Sequence, residues 1–344
     1  MRIKMFQRKA TNKRRNPFGP PAGIAVVFLL LISIATLVLP VNSGARDWPT
    51  KTITLIVPWA AGGATDLAAR VLAPQMSKIL EVPVQVVGKP GGSGIIGTLE
   101  AVKAPPDGYT LLMDCNGTSS IQFAWSENLP YKPEERTYIA RAISTLESLL
   151  VPASSPVKTV EDLVTAIRTN PASVSFGNIG GTGAPDATLA QFRAALMAKG
   201  LDLSKTRMVT YKGSGETITA VAGGHVSACM SGIAGTQALI SAGKIRVLAV
   251  TSAQRYKPWP TVPTMAELGY PTVNMLFWAS LGGPPGLPAN IVKILEQTVK
   301  EALMDPDVIA KLDKIGIEPA YQPGDVYKKF VFDEWQTIKS LKLK

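Results

Sequence analysis

Short apolar runs that end in loops of small residues alternate with helical segments along most of this chain. Residues 53–57 form an apolar, β-rich run of the kind found in a buried parallel strand, and a proline follows directly. Residues 60–64 carry only small side chains, and apolar residues then recur at helical spacing over residues 65–80. The pattern predicts a strand, a loop and a helix, with Thr65 or Asp66 as the N-cap.

The alternation continues and divides into two α/β units, the second beginning near residue 147. Thr159 is the predicted N-cap of the first helix of that unit, with Asp162 at its third position. The other predicted strands lie at 84–87, 109–113, 149–152, 174–176, 208–211, 226–230 and 245–251, and the other helices at 95–102, 160–168, 187–198, 217–222, 291–303 and 326–338.

Loops of small and polar residues follow several predicted strands, at residues 60–64, 114–120 and 177–183. In a parallel sheet such loops meet at one edge, and free N–H groups at a helix start beside glycines bind an anion such as a carboxylate. An ordinary βα turn, whose glycines serve only geometry, is the alternative. Lys212, in a further loop, could neutralise a bound acid or be a solvated surface lysine.

The first 45 residues have the pattern of an export signal. Residues 1–22 hold seven basic and no acidic side chains, and residues 23–39 are an uncharged apolar run of 17. Ser43 and Ala45 place small residues three and one before a cut between Ala45 and Arg46. An uncleaved membrane anchor is the alternative, since a run of this length is near the lower limit for a spanning helix.

Cleavage at that point leaves an almost balanced charge. The 36 basic residues of the chain fall to 29, against 25 acidic ones, which is a net charge of +4. The strongly basic charge, which is the main argument for a nucleic-acid partner, is therefore largely removed with the signal. The roughly 300 remaining residues are enough for two domains with a sizeable core.

Cysteine and histidine are too few to build a metal site. Cys115 and Cys229 lie far apart and outside any CxxC pattern, so two buried thiols are predicted, with a disulfide as the alternative. His225, the only histidine, is predicted in a turn before a strand. We expect neither a metal nor a cofactor.

Residues 92–97, GSGIIG, are a literal GxGxxG between a predicted strand and a helix, and Asp114 lies 20 residues beyond Gly94. In dinucleotide-binding proteins the first glycine follows the strand almost directly, whereas residues 88–91 intervene here. A dinucleotide-binding enzyme is therefore kept only as an alternative. The patterns GxxxxGK[ST], GxSxG and HExxH are missing from the sequence.

Over residues 48–344 the chain resembles the periplasmic substrate-binding receptors of tripartite tricarboxylate transporters, also called Bug receptors. The matching segments are WPTKTITLIVPWAAGGATDLAAR, VGKPGGSGIIG, APPDGYTLL, VKTVEDLVTAIRTNPASVSFG, TYKGSGETITAVAGGHV, AGKIRVLAVTSAQR, PTVPTMAELGYP and DEWQTIKSLKLK. The resemblance implies a two-domain α/β fold of the class II periplasmic-binding-protein (Venus flytrap) type. It also implies an acidic small molecule in the cleft, held largely by backbone amides, hydroxyls and ordered water.

The expected organisation is a signal peptide at residues 1–45, a discontinuous first domain at 46–146 plus 275–344, and a second domain at 147–274. The ligand loops carried over by the resemblance lie at residues 59–66 and 178–184. The expected ligand-binding residues are Trp59, Ala60, Gly63, Ala64, Thr65, Asp66, Asn116, Asn178, Gly181, Thr182, Gly183, Tyr211 and Lys212.

The chain departs from the family pattern in three places. Trp59 replaces a phenylalanine and is expected either to wall the pocket or to pack beside the hinge. Asp186, near the start of the second-domain helix, would repel an anion unless it faces away. Ser231 stands where an aspartate is frequent, which makes recognition of a ligand amino group less expected.

The resemblance therefore implies a periplasmic receptor, expected to be a monomer, that closes on a small organic acid and delivers it to the permease subunits of a tripartite tricarboxylate transporter. An exported enzyme acting on a small organic acid, with serines or threonines of the same loops as catalysts, is the alternative.

Overall fold

The computed structural model describes residues 48–181 and 183–340. The predicted signal peptide and Thr182 lie outside the described residues. Within those two ranges, no helix combines the length and the apolar character that a membrane crossing needs.

Strands and helices alternate through the described residues. The strands are β1 (Ile53–Val57), β2 (Val84–Gly88), β3 (Thr110–Cys115), β4 (Thr137–Pro152), β5 (Ser175–Asn178), β6 (Arg207–Thr210), β7 (Ala228–Gly232), β8 (Ile245–Val250), β9 (Leu276–Gly283) and β10 (Glu318–Pro323). The helices are α1 (Ala64–Leu80), α2 (Ile95–Val102), α3 (Gln122–Trp125), α4 (Val160–Thr169), α5 (Ala184–Ala198), α6 (Ser214–Ala222), α7 (Gln237–Ser241), α8 (Ala289–Met304), α9 (Pro306–Lys314) and α10 (Gly324–Ser340).

Each of the two predicted βαβ units forms a parallel arrangement. β1 lies between β2 and β3, parallel to both, and β5 lies between β6 and β7, parallel to both. The apolar stripe of α1, with Leu72 and Met76 almost fully buried, packs against the first of these sheets. At the start of α4, Thr159 and Asp162 form the predicted capping box, which is confirmed.

The long strand β4 joins the two units. Its residues 137–146 pair antiparallel with β9, which in turn pairs antiparallel with β3. Its residues 147–150 pair antiparallel with β7, and β8 pairs with the same end of β4. The sheet order is therefore β2-β1-β3-β9-β4-β7-β5-β6, with β10 and β8 also paired to β4.

Two main apolar clusters give the protein two lobes. We call β1–β3, β9, β10, α1–α3, α8–α10 and residues 137–146 the first lobe, and β5–β8, α4–α7 and residues 147–152 the second lobe. Leu295 of α8 and Ile338 of α10 lie in the first cluster, whereas Phe176 and Phe192 centre the second. The domain boundaries at residues 146 and 275 remain predictions.

The two lobes touch each other. Ile179, Ala184, Ala187 and Ala234 come from the second lobe, yet they belong to the apolar cluster of the first. A hydrogen bond from Ser93 Oγ to the Gly180 carbonyl, 3.4 Å long, also joins the lobes. The described conformation is therefore one in which the lobes are closed on each other.

Two local predictions are wrong. The N-cap of α1 is Gly63, so Thr65 and Asp66 lie inside the helix rather than before it. Residues 114–120 are not an open loop, because Asp114 and Cys115 complete β3 and Gly117–Ile121 form a π-helical turn.

Candidate functional site

A cavity of about 40 Å³, partly open to solvent, lies where the two lobes meet. Its wall is made mainly of small and apolar residues, and no lysine, arginine or histidine is among the described residues that line it. The lining residues are Trp59, Ala60, Gly63, Ala64, Thr65, Cys115, Gly117, Phe277 from the first lobe and Glu147, Ile179, Gly183, Ala184, Pro185, Gly213, Ser214, Ser231, Gly232, Ala234 from the second.

Three helices begin at this cavity. Their first residues, Ala64 of α1, Ala184 of α5 and Ser214 of α6, all line it, and each helix has a glycine as N-cap. The first N–H groups of a helix have no partner within the helix, and the helix dipole makes this end electropositive. The cavity can therefore favour an anion although no basic side chain lines it.

Asp66, a predicted ligand-binding residue, stabilises the first ligand loop, residues 59–66, from the side away from the cavity. Its carboxylate accepts a hydrogen bond from the Gly62 N–H, 3.1 Å away, and pairs with Arg70 Nη2 at 2.9 Å. It is buried and does not line the cavity, whereas its neighbours Gly63, Ala64 and Thr65 do. The loop thus presents backbone and small side chains to the cavity and keeps its acid turned away.

The Asp186 carboxylate accepts hydrogen bonds from backbone N–H groups of the second ligand loop, residues 178–184. The donors are the N–H groups of Ile179 at 3.0 Å, Gly181 at 2.9 Å and Gly183 at 3.3 Å. The anion-binding geometry that the glycines predict is therefore present, but a carboxylate of the protein already uses part of it. Gly183 lines the cavity and Gly181 is exposed outside it.

Trp59 belongs to the cavity wall. Its side chain is 8% exposed, and Nε1 donates a hydrogen bond to Cys115 Sγ at 3.1 Å. Burial, followed by the charge of Asp114, raises the pKa of the Cys115 thiol. A neutral, hydrogen-bonded thiol at this position is a wall element rather than a nucleophile.

The remaining predicted residues lie outside the cavity wall. Asn116 is fully buried and its Nδ2 donates to the Leu276 carbonyl at 3.0 Å, where β9 begins. Asn178 Oδ1 accepts a hydrogen bond from the Gly180 N–H at 3.2 Å. Tyr211 is half-buried against the second lobe and Lys212 is exposed, although the next residue, Gly213, reaches the cavity. A ligand contact by any of these residues stays a prediction.

Glu147 is a cavity residue that the sequence analysis missed. It is 1% exposed and lines the cavity from β4, where the register places it opposite Gly232 of β7. Its Oε2 atom and the Oγ atom of the neighbouring cavity residue Ser231 are buried without a hydrogen-bond partner among the described residues. A single charged residue inside the otherwise uncharged, mostly apolar stretch 142–151 is the sequence signal that could have found it.

The GxGxxG motif has a packing role. A Cβ atom at Gly94, whose φ is +90°, would lie 2.7 Å from the Thr118 methyl group, and one at Gly97 would lie 2.9 Å from Pro58 Cα. Asp114, the acid that lies 20 residues beyond Gly94, is 1% exposed and pairs with Arg136 Nη1 at 2.6 Å. Because these groups are used inside the protein, the structure gives no support to the dinucleotide alternative.

Both cysteines are free and buried, so the prediction of two buried thiols is confirmed. His225 is exposed in the turn before β7, also as predicted, and does not line the cavity. No group of three or more histidine, cysteine, aspartate or glutamate side chains suited to a metal occurs within residues 48–181 and 183–340.

Two α/β lobes closed over a cavity at the ends of their strands define the class of periplasmic solute-binding proteins, and the predicted fold class is confirmed by solved structures of that class. Residues 68–343 match the family described as tripartite tricarboxylate transporter family receptor (TctC). The chain belongs to this family, as the sequence resemblance indicated.

Relatives of known sequence or structure are similar along most of their length. Protein BugT of Bordetella pertussis is 31% identical over 319 residues, which are 91% of this chain and 94% of BugT. Rpa4515 of R. palustris with adipate is 30% identical with a TM-score of 0.80, covering 86% of this chain and 98% of that one. MatC from Rhodopseudomonas palustris with bound malate is 25% identical with a TM-score of 0.79, covering 86% and 100%.

Proposed function

We infer that this protein is an extracytoplasmic receptor that captures a small carboxylate-type solute between its two lobes and delivers it to the permease subunits of a tripartite tricarboxylate transporter. The single observation that carries this inference is the convergence of three helix N-termini on a cavity whose described lining holds no basic side chain. Malate and adipate, which the two R. palustris relatives hold, are dicarboxylates.

The first loop supplies the best-placed donors for a carboxylate. Gly63, Ala64 and Thr65 line the cavity at the start of α1, where the first backbone N–H groups have no acceptor within the helix. Ser214 adds a hydroxyl at the start of α6 on the opposite lobe. A carboxylate gains about 1.5–3 kcal/mol from each such hydrogen bond, so a ligand that bridges both lobes stabilises their closed arrangement.

A thermal-shift panel of mono-, di- and tricarboxylates, aromatic acids and acidic amino acids tests this function. The protein, residues 46–344, is first partly unfolded and dialysed to remove carried-over ligand. An acid present at about 100 times its Kd should add about 2.7 kcal/mol to the free energy of unfolding and raise Tm by several degrees. Recovery of that acid unchanged, by mass spectrometry, supports a receptor over an enzyme. A panel without any shift would contradict an acid-binding receptor.

The N-terminal pattern and the family both support export. We expect the protein isolated from the periplasm to begin at Arg46, because small residues stand at positions 43 and 45 after the apolar run. N-terminal sequencing or intact-mass measurement checks this. A mass that includes residues 1–45 in the membrane fraction would instead support the uncleaved anchor.

A further inference from the structure

Glu147 stands out because it is a buried carboxyl group whose Oε2 atom has no hydrogen-bond partner among the described residues. No lysine, arginine or histidine side chain of residues 48–181 and 183–340 forms an ion pair with it. Its backbone is fixed, because its N–H donates to Thr251 Oγ1 at 3.0 Å and the same oxygen donates to the Met275 carbonyl at 2.7 Å. The side chain is thus held at the crossing between the lobes and borders the cavity.

The surroundings of this carboxyl group are acidic. Burial, followed by the charge of Asp186 on α5, raises the pKa of Glu147 to about 8. From β7, the other titratable neighbour is Cys229, whose pKa is raised by burial and then by the charge of Glu147. A buried carboxylate without a cation costs free energy, and the described part of the protein supplies no cation.

We propose that Glu147 binds the amino group of the solute, so that the ligand is an amino acid whose carboxylate lies at the helix N-termini. The proposal rests on the proposed receptor function and names its substrate class. An ammonium group has three donors, and Glu147, which lines the cavity, has in Oε2 a buried acceptor without a hydrogen-bond partner among the described residues.

The charges favour an ammonium group over a second carboxylate at this wall. Asp186 already places a negative charge close enough to Glu147 to interact with it, so a ligand carboxylate beside them would add a second charge of the same sign. An ammonium group instead forms charge-assisted hydrogen bonds with Glu147. The anionic end of the ligand is then left to the α1 and α6 starts, where no acid of the described lining stands.

Matched ligand pairs test the proposal directly. L-aspartate and succinate, L-glutamate and glutarate, and L-alanine and propionate differ only in the amino group. In calorimetric titrations, the amino acid of at least one pair should bind about 10- to 100-fold more tightly than its partner. Equal or tighter binding of the plain acid in every pair would overturn the proposal and leave the receptor function intact. Absence of binding in all pairs would overturn both.

The pH dependence has a definite sign. Ligand-free Glu147 holds a proton below its raised pKa of about 8, and it must release this proton to pair with an ammonium group. Amino-acid affinity should therefore rise, by at most tenfold per unit, between about pH 5.5 and about pH 7.5, with proton release visible in buffers of different ionisation enthalpy. A protonated Glu147 that bound a ligand carboxylate would give the opposite slope and would overturn the proposal.

The isosteric variant Glu147→Gln removes the charge and keeps the shape. In this variant, the amino acid and the plain acid of the pair that the wild type distinguishes should bind with affinities within about threefold of each other. The release of a proton on amino-acid binding should also disappear. Glu334→Gln is the matched control, since Glu334 is partly buried but is hydrogen-bonded by Trp278 and Ser120 away from the cavity wall. A Glu147→Gln protein that kept both the preference and the proton release would overturn the proposal. If this variant did not fold, the pH dependence of amino-acid affinity in the wild type would still test the proposal.

Discussion

Replacing Arg136 with methionine is expected to lower the free energy of unfolding by about 3–5 kcal/mol, the cost of removing one partner of a buried ion pair. The side chains of Arg136 and Asp114 are each 1% exposed, and Nη1 lies 2.6 Å from Oδ2. The guanidinium carbon also lies over the rings of Phe123 and Tyr131, at 5.4 and 5.3 Å from their centroids. Without it, Asp114 would be a buried charge with no cation among the described residues.

Thermal or denaturant unfolding measures this effect, with a fall in Tm of roughly 10 °C. Arg255→Met is the control, since Arg255 forms an ion pair with Glu267 at a similar distance of 2.9 Å but both side chains are almost half exposed. The control should cost at most about 1 kcal/mol. Equal losses for the two variants would mean that burial does not set the strength of the Arg136 pair.

The same ion pair explains why the loop prediction at residues 114–120 is wrong. Small and polar residues after a strand are typical of an open loop, and the sequence does not show that Asp114 meets Arg136. In the structure, the Asp114 carboxylate also accepts hydrogen bonds from the hydroxyl groups of Thr118 and Ser119. These contacts fold the segment back on β3 as a helical turn, so a long-range partner overrides the local preference.

The elements that local periodicity specifies were predicted well. β1, α1 and α2 each carry their own apolar pattern, and the parallel pairings follow from the βαβ order. β4 was recognised only from residue 149 onward, because its first part pairs with β9 from near the other end of the chain. Glu147 lies in that unrecognised part, which is why the cavity acid was missed.

At the site, residue type was more predictable than residue role. The first loop reaches the cavity as expected, with Ala60, Gly63 and Thr65 among its lining residues. Asp186 was expected to repel an anion unless it faces away, and its carboxylate accepts three backbone hydrogen bonds from its own loop. That role depends on where one carboxylate turns, and the spacing of residues in the sequence does not specify this direction.

Enlarging Gly215 to leucine is expected to weaken ligand binding about 10- to 100-fold while leaving the ligand-free protein at least as stable. Gly215 is the second residue of α6, and a Cβ atom there would lie 2.9 Å from the Ala61 carbonyl oxygen of the facing lobe. The Ala61 carbonyl oxygen is a backbone atom and cannot rotate away, so the lobes must move apart. The closed form is thereby destabilised by about 1–3 kcal/mol. Since only the closed form holds the ligand on both sides, its lower population lowers the apparent affinity.

The stability of the ligand-free variant should rise slightly, because leucine favours a helix over glycine by roughly 1 kcal/mol. The measurement is the Tm gain produced by the acid that shifts the wild type most, together with its Kd by calorimetry. Gly88→Leu is the matched control, since Gly88 ends β2 and a Cβ there has no neighbour within 4 Å. A Gly215→Leu protein with wild-type affinity would show that the bound state does not need the close approach of Ala61 to α6, and the capture mechanism would then have to work with the lobes further apart.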